Sequence, residues 1–338
     1  MKRRNIFLIC ASSLGILILI LDGKTALLGA QEGMKLCINT LIPSLFPFFL
    51  MSTLLTGAIS GQTISCLRPL ASICKIPRGT ESLLLIGLLG GYPVGAQNVS
   101  LLYQQGKFSR AQAMRMIAFC NNAGPSFIFG VLSVMFTQGH TSWLLWIIHI
   151  ISALLVGMIL PASESSETVS ISSKEIHITD ALWQSIKVMA VVCGWVVLMK
   201  IILVFMQLWF LWLFPVPIQV FISGLLELSN GCMRLPEISC EGLRFIIVSA
   251  LLALGGTCVT LQTSSVAGNI PMQLYFHGKV LQCCISVILA CLVQVTFPAA
   301  MRFQNHRIII LPIVFIILAA AFLHKKKKSS SIQALIGV

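Results

Sequence analysis

The sequence predicts an all-α polytopic membrane protein, with about eight spanning helices and two re-entrant hairpins arranged as an inverted internal repeat. Three observations carry that prediction. First, 57% of the 338 residues are hydrophobic and only 10% are charged, with a mean hydropathy of +0.94, whereas a soluble domain carries about 25% charged residues. Second, the net charge of +13 gathers at the ends of apolar runs, as in Lys2-Arg3-Arg4 and Lys325-Lys326-Lys327-Lys328. That is the positive-inside pattern rather than a nucleic-acid patch, and it places both termini in the cytoplasm. Third, the apolar stretch 83–131 is broken twice, at Gly90-Gly91-Tyr92-Pro93-Val94-Gly95 and at Asn121-Asn122-Ala123-Gly124-Pro125. In lipid every backbone N–H and C=O needs an internal partner, so broken backbone survives only where it is packed in protein or lines a polar cavity. Two breaks this close mark a binding site.

Taken in order, residues 6–21 follow a basic start and form the first span. A signal peptide is the competing assignment, but Leu28-Gly29-Ala30 is a poor cleavage site and the chain soon returns to lipid. Residues 26–42 carry Gln31, Glu32, Lys35 and Asn39 along one side, which predicts an amphipathic, interfacial helix. Pro43 and Pro47 open the second span, which ends near Ile59. Arg68, Lys75 and Arg78 make 61–78 a cytoplasmic loop. Residues 82–103 are long enough to cross, yet basic residues flank both ends, so they form a re-entrant hairpin with its tip at 90–95. Ser109-Arg110-Ala111-Gln112 is a capping box, and the helix it starts climbs to Cys120, breaks, and resumes to 136. Pro125 pre-organises the second half-helix, whose free N–H groups face the break.

Residues 143–160 form another span, and the polar, cytoplasmic linker 161–180 then divides the chain into an N-terminal half, 1–160, and a C-terminal half, 181–323. The C-terminal half has a span at 181–206, with Trp209 and Trp212 suited to an interface belt. A second hairpin follows at 215–235, then a helix at 244–265 interrupted at 255–258, then spans at 279–297 and 307–323. Residues 324–338 are a basic cytoplasmic tail. The halves echo each other. Gly87-Leu88-Leu89 matches Gly224-Leu225-Leu226, each before a polar turn, and each hairpin precedes a helix broken midway. An odd number of crossings separates the hairpins, so they enter from opposite sides. Paired interruptions of this kind point to a secondary-transporter site at the bilayer midplane.

The motifs Leu41-Ile42-Pro43-Ser44-Leu45-Phe46-Pro47-Phe48, Gly91-Tyr92-Pro93-Val94-Gly95-Ala96, Phe119-Cys120-Asn121-Asn122 with Gly124-Pro125, and Gly255-Gly256-Thr257-Cys258 with Leu261-Gln262 resemble the YlbJ (SpoVV-like) sporulation integral membrane proteins. These carry the nucleoside-recognition Gate domain, and the resemblance runs from about Gly29 to Phe297. It implies a fold similar to the hairpin-plus-broken-helix repeats of concentrative nucleoside transporters. It also implies a role in moving dipicolinic acid, a small dicarboxylate, across a membrane surrounding the forming spore.

The candidate substrate-binding residues are Gly91, Tyr92, Pro93 and Gly95 at the first tip, with Asn98 beside it. Asn121, Asn122, Pro125 and Ser126 belong to the first break, Asn230 to the second hairpin, and Gly255, Gly256, Gln262 and Thr263 to the second break. Backbone N–H groups, amides and hydroxyls suit a planar polar solute or a carboxylate held at helix N-termini. A structural tie between helices is the other reading for each side chain taken singly. Glu227 is the acid inside an apolar run, a candidate for a coupling proton or ion, or for a pair with Arg244, Lys200 or Lys279. Arg115 either compensates an anionic substrate or snorkels to the interface. The 12 cysteines show no metal-ligand spacing and read as packing residues, and His149 reads as a bond to a neighbouring helix. No cofactor, metal or nucleic-acid partner is expected, and no enzyme motif is present. The expected function is alternating-access movement of a small organic solute, an anion of the dipicolinate type. The alternatives are a nucleoside-type solute transporter and a non-transporting sporulation scaffold or assembly factor. The bilayer and the solute are the expected partners, and a homo-oligomer is compatible with the sequence.

Overall fold

Fourteen α-helices, joined by short π and 3-10 turns, make up the computed structural model, which describes residues 3–59, 64–136, 140–162 and 177–296. Among the described residues there is no strand. Among the described residues five stretches are long and apolar enough to cross a membrane: Gly23–Ile59, His140–Ile159, Ile178–Trp209, Glu241–Ala267 and Gln273–Thr296. Of the other expected spans, the first is α1, Arg3–Leu21. The helix starting at Arg110 is present in its broken form. The span at 307–323, the basic tail and most of the polar linker lie outside the described residues.

The predicted amphipathic helix runs straight into the next one. Helix α2 (Gly23–Leu36), a π turn (Cys37–Leu41) and α3 (Ile42–Ile59) run on as one 37-residue rod. Pro43 and Pro47 lack N–H groups and would leave carbonyls of the preceding turn without donors. Around them the helix widens into the π turn, in which the Ile42 N–H donates to the Cys37 carbonyl, and the Ser44 hydroxyl donates to the Thr40 carbonyl at 2.6 Å. The polar side of α2 also has a protein partner, α9 (Ile178–Trp209). A Cβ on Gly29 would lie 2.8 Å from the Ile201 Cα, and one on Gly33 would lie 2.8 Å from the Val197 Cα. The backbones therefore approach as in small-xxx-small membrane packing. Beside this contact Glu32 pairs with Lys200 at 3.0 Å.

Next come α4 (Arg68–Ile73), α5 (Ser82–Leu89) and α6 (Val94–Gln104). Helices α5 and α6 pack on each other across the turn at 90–93, as the hairpin reading requires. At 1.5 Å per residue they reach only about 12 and 16 Å, well short of the roughly 30 Å hydrocarbon core. Helix α7 (Arg110–Cys120) starts with the predicted capping box, Ser109 and Gln112 bonding reciprocally. It stops at Cys120, and after residues 121–124 the chain turns again through Ser126–Val131 and Leu132–Met135. Helix α8 is His140–Ile159.

In the C-terminal half, α10 (Val216–Leu226) and α11 (Leu228–Met233) form the second short pair, folded sharply at Glu227. Helices α12 (Glu241–Leu254) and α13 (Gly256–Ala267) meet at Gly255, which adopts φ +75°. Helix α14 (Gln273–Thr296) packs along α7, α8 and α12 and ties the halves together.

Candidate functional site

Each hairpin sits against the break of the helix that follows it. In the first half the Cys120 carbonyl, the end of α7, lies between Gly87 of α5 and Gly95 of α6, and a Cβ on either glycine would collide with it. The tip glycine Gly91 lies so close to Gly124 in the break that a Cβ on Gly124 would be 3.0 Å from the Gly91 Cα. In the second half a Cβ on Gly256 would be 2.8 Å from the Gly224 carbonyl, and the Thr257 hydroxyl donates to the Leu225 carbonyl at 3.0 Å. Two of the bonds that join the halves lie beside these contacts. The Tyr92 hydroxyl, at the first tip, donates to the Leu252 carbonyl just before the second break at 2.8 Å. The Asn121 amide, at the first break, donates to the Thr263 hydroxyl on α13 at 2.8 Å.

A cavity of about 60 Å³ lies where these parts meet, and Gly91, Tyr92, Ser126, Glu227 and Gln262 are among its lining residues. Ligand pockets hold about 300–1,000 Å³, so this space is smaller than a solute-sized pocket. Asn121, Asn122 and Thr263 form a layer behind it, fully buried. The Asn122 side-chain oxygen accepts from the Gln282 amide at 3.1 Å and the Lys279 ammonium at 3.3 Å, while its NH₂ donates to the Phe119 carbonyl at 2.6 Å. Pro93 caps α6, Pro125 opens the turn after the break, and Gly255 and Gly256 make the second break with φ +75° and +76°.

Two candidates stand apart from the cavity. The Asn98 amide returns to the Val94 carbonyl of its own helix at 2.9 Å. The Asn230 amide donates to the Val196 carbonyl of α9 at 3.2 Å. Asn230 lines a separate groove of about 660 Å³ together with Lys200 and Arg234.

The charged groups serve helix ends. Glu227, buried at the fold of the second hairpin, accepts from the Ser229 and Asn230 N–H groups at 3.0 and 2.7 Å and so caps α11. The alternative reading of Glu227 as paired with a base is not seen among the described residues, where each candidate base has other partners. Lys200 meets Glu32, Arg244 donates to the Ile238 and Met135 carbonyls, and Lys279 binds the first break. Arg115 neither faces the cavity nor snorkels. It is buried and donates to the Cys74, Gly157, Leu160 and Lys75 carbonyls, stapling the ends of α4 and α8 to α7. His149 accepts from the Ala123 N–H in the break at 3.0 Å. Among the described residues no group of His, Cys, Asp and Glu has the arrangement of a metal site.

Sequence reasoning missed Gln282 and named Lys279 only as a possible partner of Glu227. Their signal was present, since Lys279 is the one Lys or Arg within the helix at 273–296. A lone base in a lipid-length apolar helix calls for a buried acceptor.

No family model matches the chain, and no solved structure matches it. Over 300 residues it is 26% identical to the sporulation integral membrane protein YlbJ of Bacillus subtilis (strain 168), covering 75% of this chain and 74% of the relative. The chain is YlbJ-like. The likeness joins the five apolar helices in supporting a multi-pass membrane location for a YlbJ-like chain with these motifs.

Proposed function

We propose that this YlbJ-like chain moves a small organic solute through a membrane by alternating access, with the solute held between the two hairpin tips and the two helix breaks. The observation that carries the reading is the meeting of both tips and both breaks at one buried, amide-rich cluster around a small cavity. In this reading the chain has eight spans, α5–α6 and α10–α11 are re-entrant hairpins, and the halves are inverted repeats. Short helices folded onto broken ones support it, since such backbone is tolerated at membrane depth only when covered by protein. The solute class is a small organic anion of the dipicolinate type. Its carboxylates would be met by helix N-termini, by amides and by the Tyr92 and Ser126 hydroxyls, with no carboxylate but Glu227 on the wall. The relative's name, a sporulation integral membrane protein, agrees with a role in spore formation. One observation favours a non-transporting scaffold instead. The cavity, at about 60 Å³, has room for a water or two and not for a solute.

The test is flux of labelled dipicolinate against labelled nucleoside in liposomes containing the full-length chain. Saturable dipicolinate flux that Asn121→Ala abolishes supports the reading. Nucleoside flux with the same dependence would move the substrate class and keep the site. Absence of flux for either solute, with folded protein in the bilayer, would leave the scaffold reading ahead.

A further inference from the structure

At Asn121 the chain leaves the helical conformation (φ −119°, ψ 95°), so carbonyls at the end of α7 lose their intrahelical partners. Lipid offers no water to replace them. In secondary transporters with broken helices, such unwound carbonyls and half-helix C-terminal ends coordinate a Na⁺ or a proton. Here the place is occupied by part of the chain. The Lys279 ammonium donates to the Asn121 carbonyl at 2.5 Å, to the Gln282 side-chain oxygen at 2.9 Å and to the Asn122 side-chain oxygen at 3.3 Å. Its three N–H groups thus meet three oxygens. It also lies 5.4 and 5.8 Å from the ring centres of Tyr92 and Tyr275.

The oxygens are neutral amide and carbonyl groups of the kind that suit hard cations. Among the described residues the ion pairs are Arg68–Glu81, Lys200–Glu32 and Arg234–Glu237, and the groups that meet the Lys279 ammonium there are these neutral dipoles. Close packing brings it there. A Cβ on the adjacent Gly278 would lie 2.8 Å from the Ala118 Cβ, so α14 runs tight against α7 and the lysine stem ends at the break.

We propose that Lys279 is a built-in cation, filling from within the chain the place that a coupling Na⁺ takes in an ion-driven transporter. The first half then needs no Na⁺, and removing the ammonium creates a Na⁺ site from Asn121, Asn122 and Gln282, with water completing the shell. A lysine that merely ties α14 to α7 predicts no such site.

The experiment is thermal unfolding of the full-length chain in detergent, in NaCl and in choline chloride of equal ionic strength, for the wild type, Lys279→Ala, Lys279→Ser and Lys279→Met. Wild type is expected to unfold at the same temperature in both salts. The Ala and Ser variants are expected to gain about 2–4 °C in NaCl, because an ion that binds only the folded state raises Tm. The Met variant, whose stem fills the space, should not respond. Identical melting of the Ala and Ser variants in the two salts would overturn the proposal, and so would a wild-type response as large as theirs. Failure to recover either variant folded, even from NaCl, counts against it equally. A flux arm rests on the transport reading: wild-type flux should be independent of Na⁺ and Lys279→Ala flux should require it. Absence of flux in the wild type as well as the variant would remove the transport reading while the melting result still decides the role of Lys279.

Discussion

The Cys120 carbonyl ends α7 between two glycines, and neither Gly87 nor Gly95 has room for a side chain against it. Gly95→Ala must push α6 away from the break. Overpacking against backbone costs about 3 kcal/mol here, and the expected outcome is a large fall in detergent Tm with loss of monodisperse protein. At Asn121 the question is coupling rather than space. Its amide donates to the Thr263 hydroxyl, which itself donates to the Val259 carbonyl at 2.7 Å. A double-mutant cycle of Asn121→Ala and Thr263→Val, measured by unfolding, should give a coupling of about 1 kcal/mol. Strict additivity would mean that the bond does not hold the halves together. Asn121 and Asn122 were legible in the sequence because amides in a run of apolar residues need partners. Which partners they have was not legible, since Thr263 and Lys279 come from the other half of the chain.

The places where helices stop, at 90–93, at 121–124, at Glu227 and at Gly255, were legible from Pro, Gly, Asn and the polar turns, which act locally on φ, ψ and N–H supply. The protein partner of 26–42 was not legible, for a non-local reason. Polar residues along one side of a helix look alike whether they face headgroups or a partner helix, and the partner here is α9, far along the chain. The spacing Gly29-Ala30-Gln31-Glu32-Gly33 was the available signal, because glycines four apart let helices touch. Gly33→Leu should therefore part α2 from α9 and release the Glu32–Lys200 pair. The expected loss is about 1–3 kcal/mol from overpacking, read as a lower Tm. Glu32→Gln should change Tm far less, since Glu32 is 59% exposed and such pairs contribute about 0–1 kcal/mol. A larger effect from Glu32→Gln than from Gly33→Leu would show that charge, not backbone contact, joins these helices.

At the scale of the whole molecule the two halves meet around a cavity of about 60 Å³, and the Tyr92 bond to the Leu252 carbonyl is one of the cross-half links at the site. Opening the cavity by separating the first tip from α12 must break it. Removing the hydroxyl in Tyr92→Phe keeps the ring against Lys279 and gives up about 1 kcal/mol of net hydrogen bonding. A change of that size raises the ratio of open to closed molecules roughly five-fold. Cys258 reports on this, because it lines the cavity and is 2% exposed in this structure. Its alkylation by a maleimide, followed by mass spectrometry, should run about five-fold faster in Tyr92→Phe than in the wild type, as expected when reaction proceeds through a rapidly exchanging open form. The exposed Cys240 serves as the internal control and should react at an unchanged rate. Equal Cys258 rates in the two proteins would mean that the cavity opens by another route, with hairpin α10–α11 moving against α12 and α13 while the Tyr92 clamp stays shut.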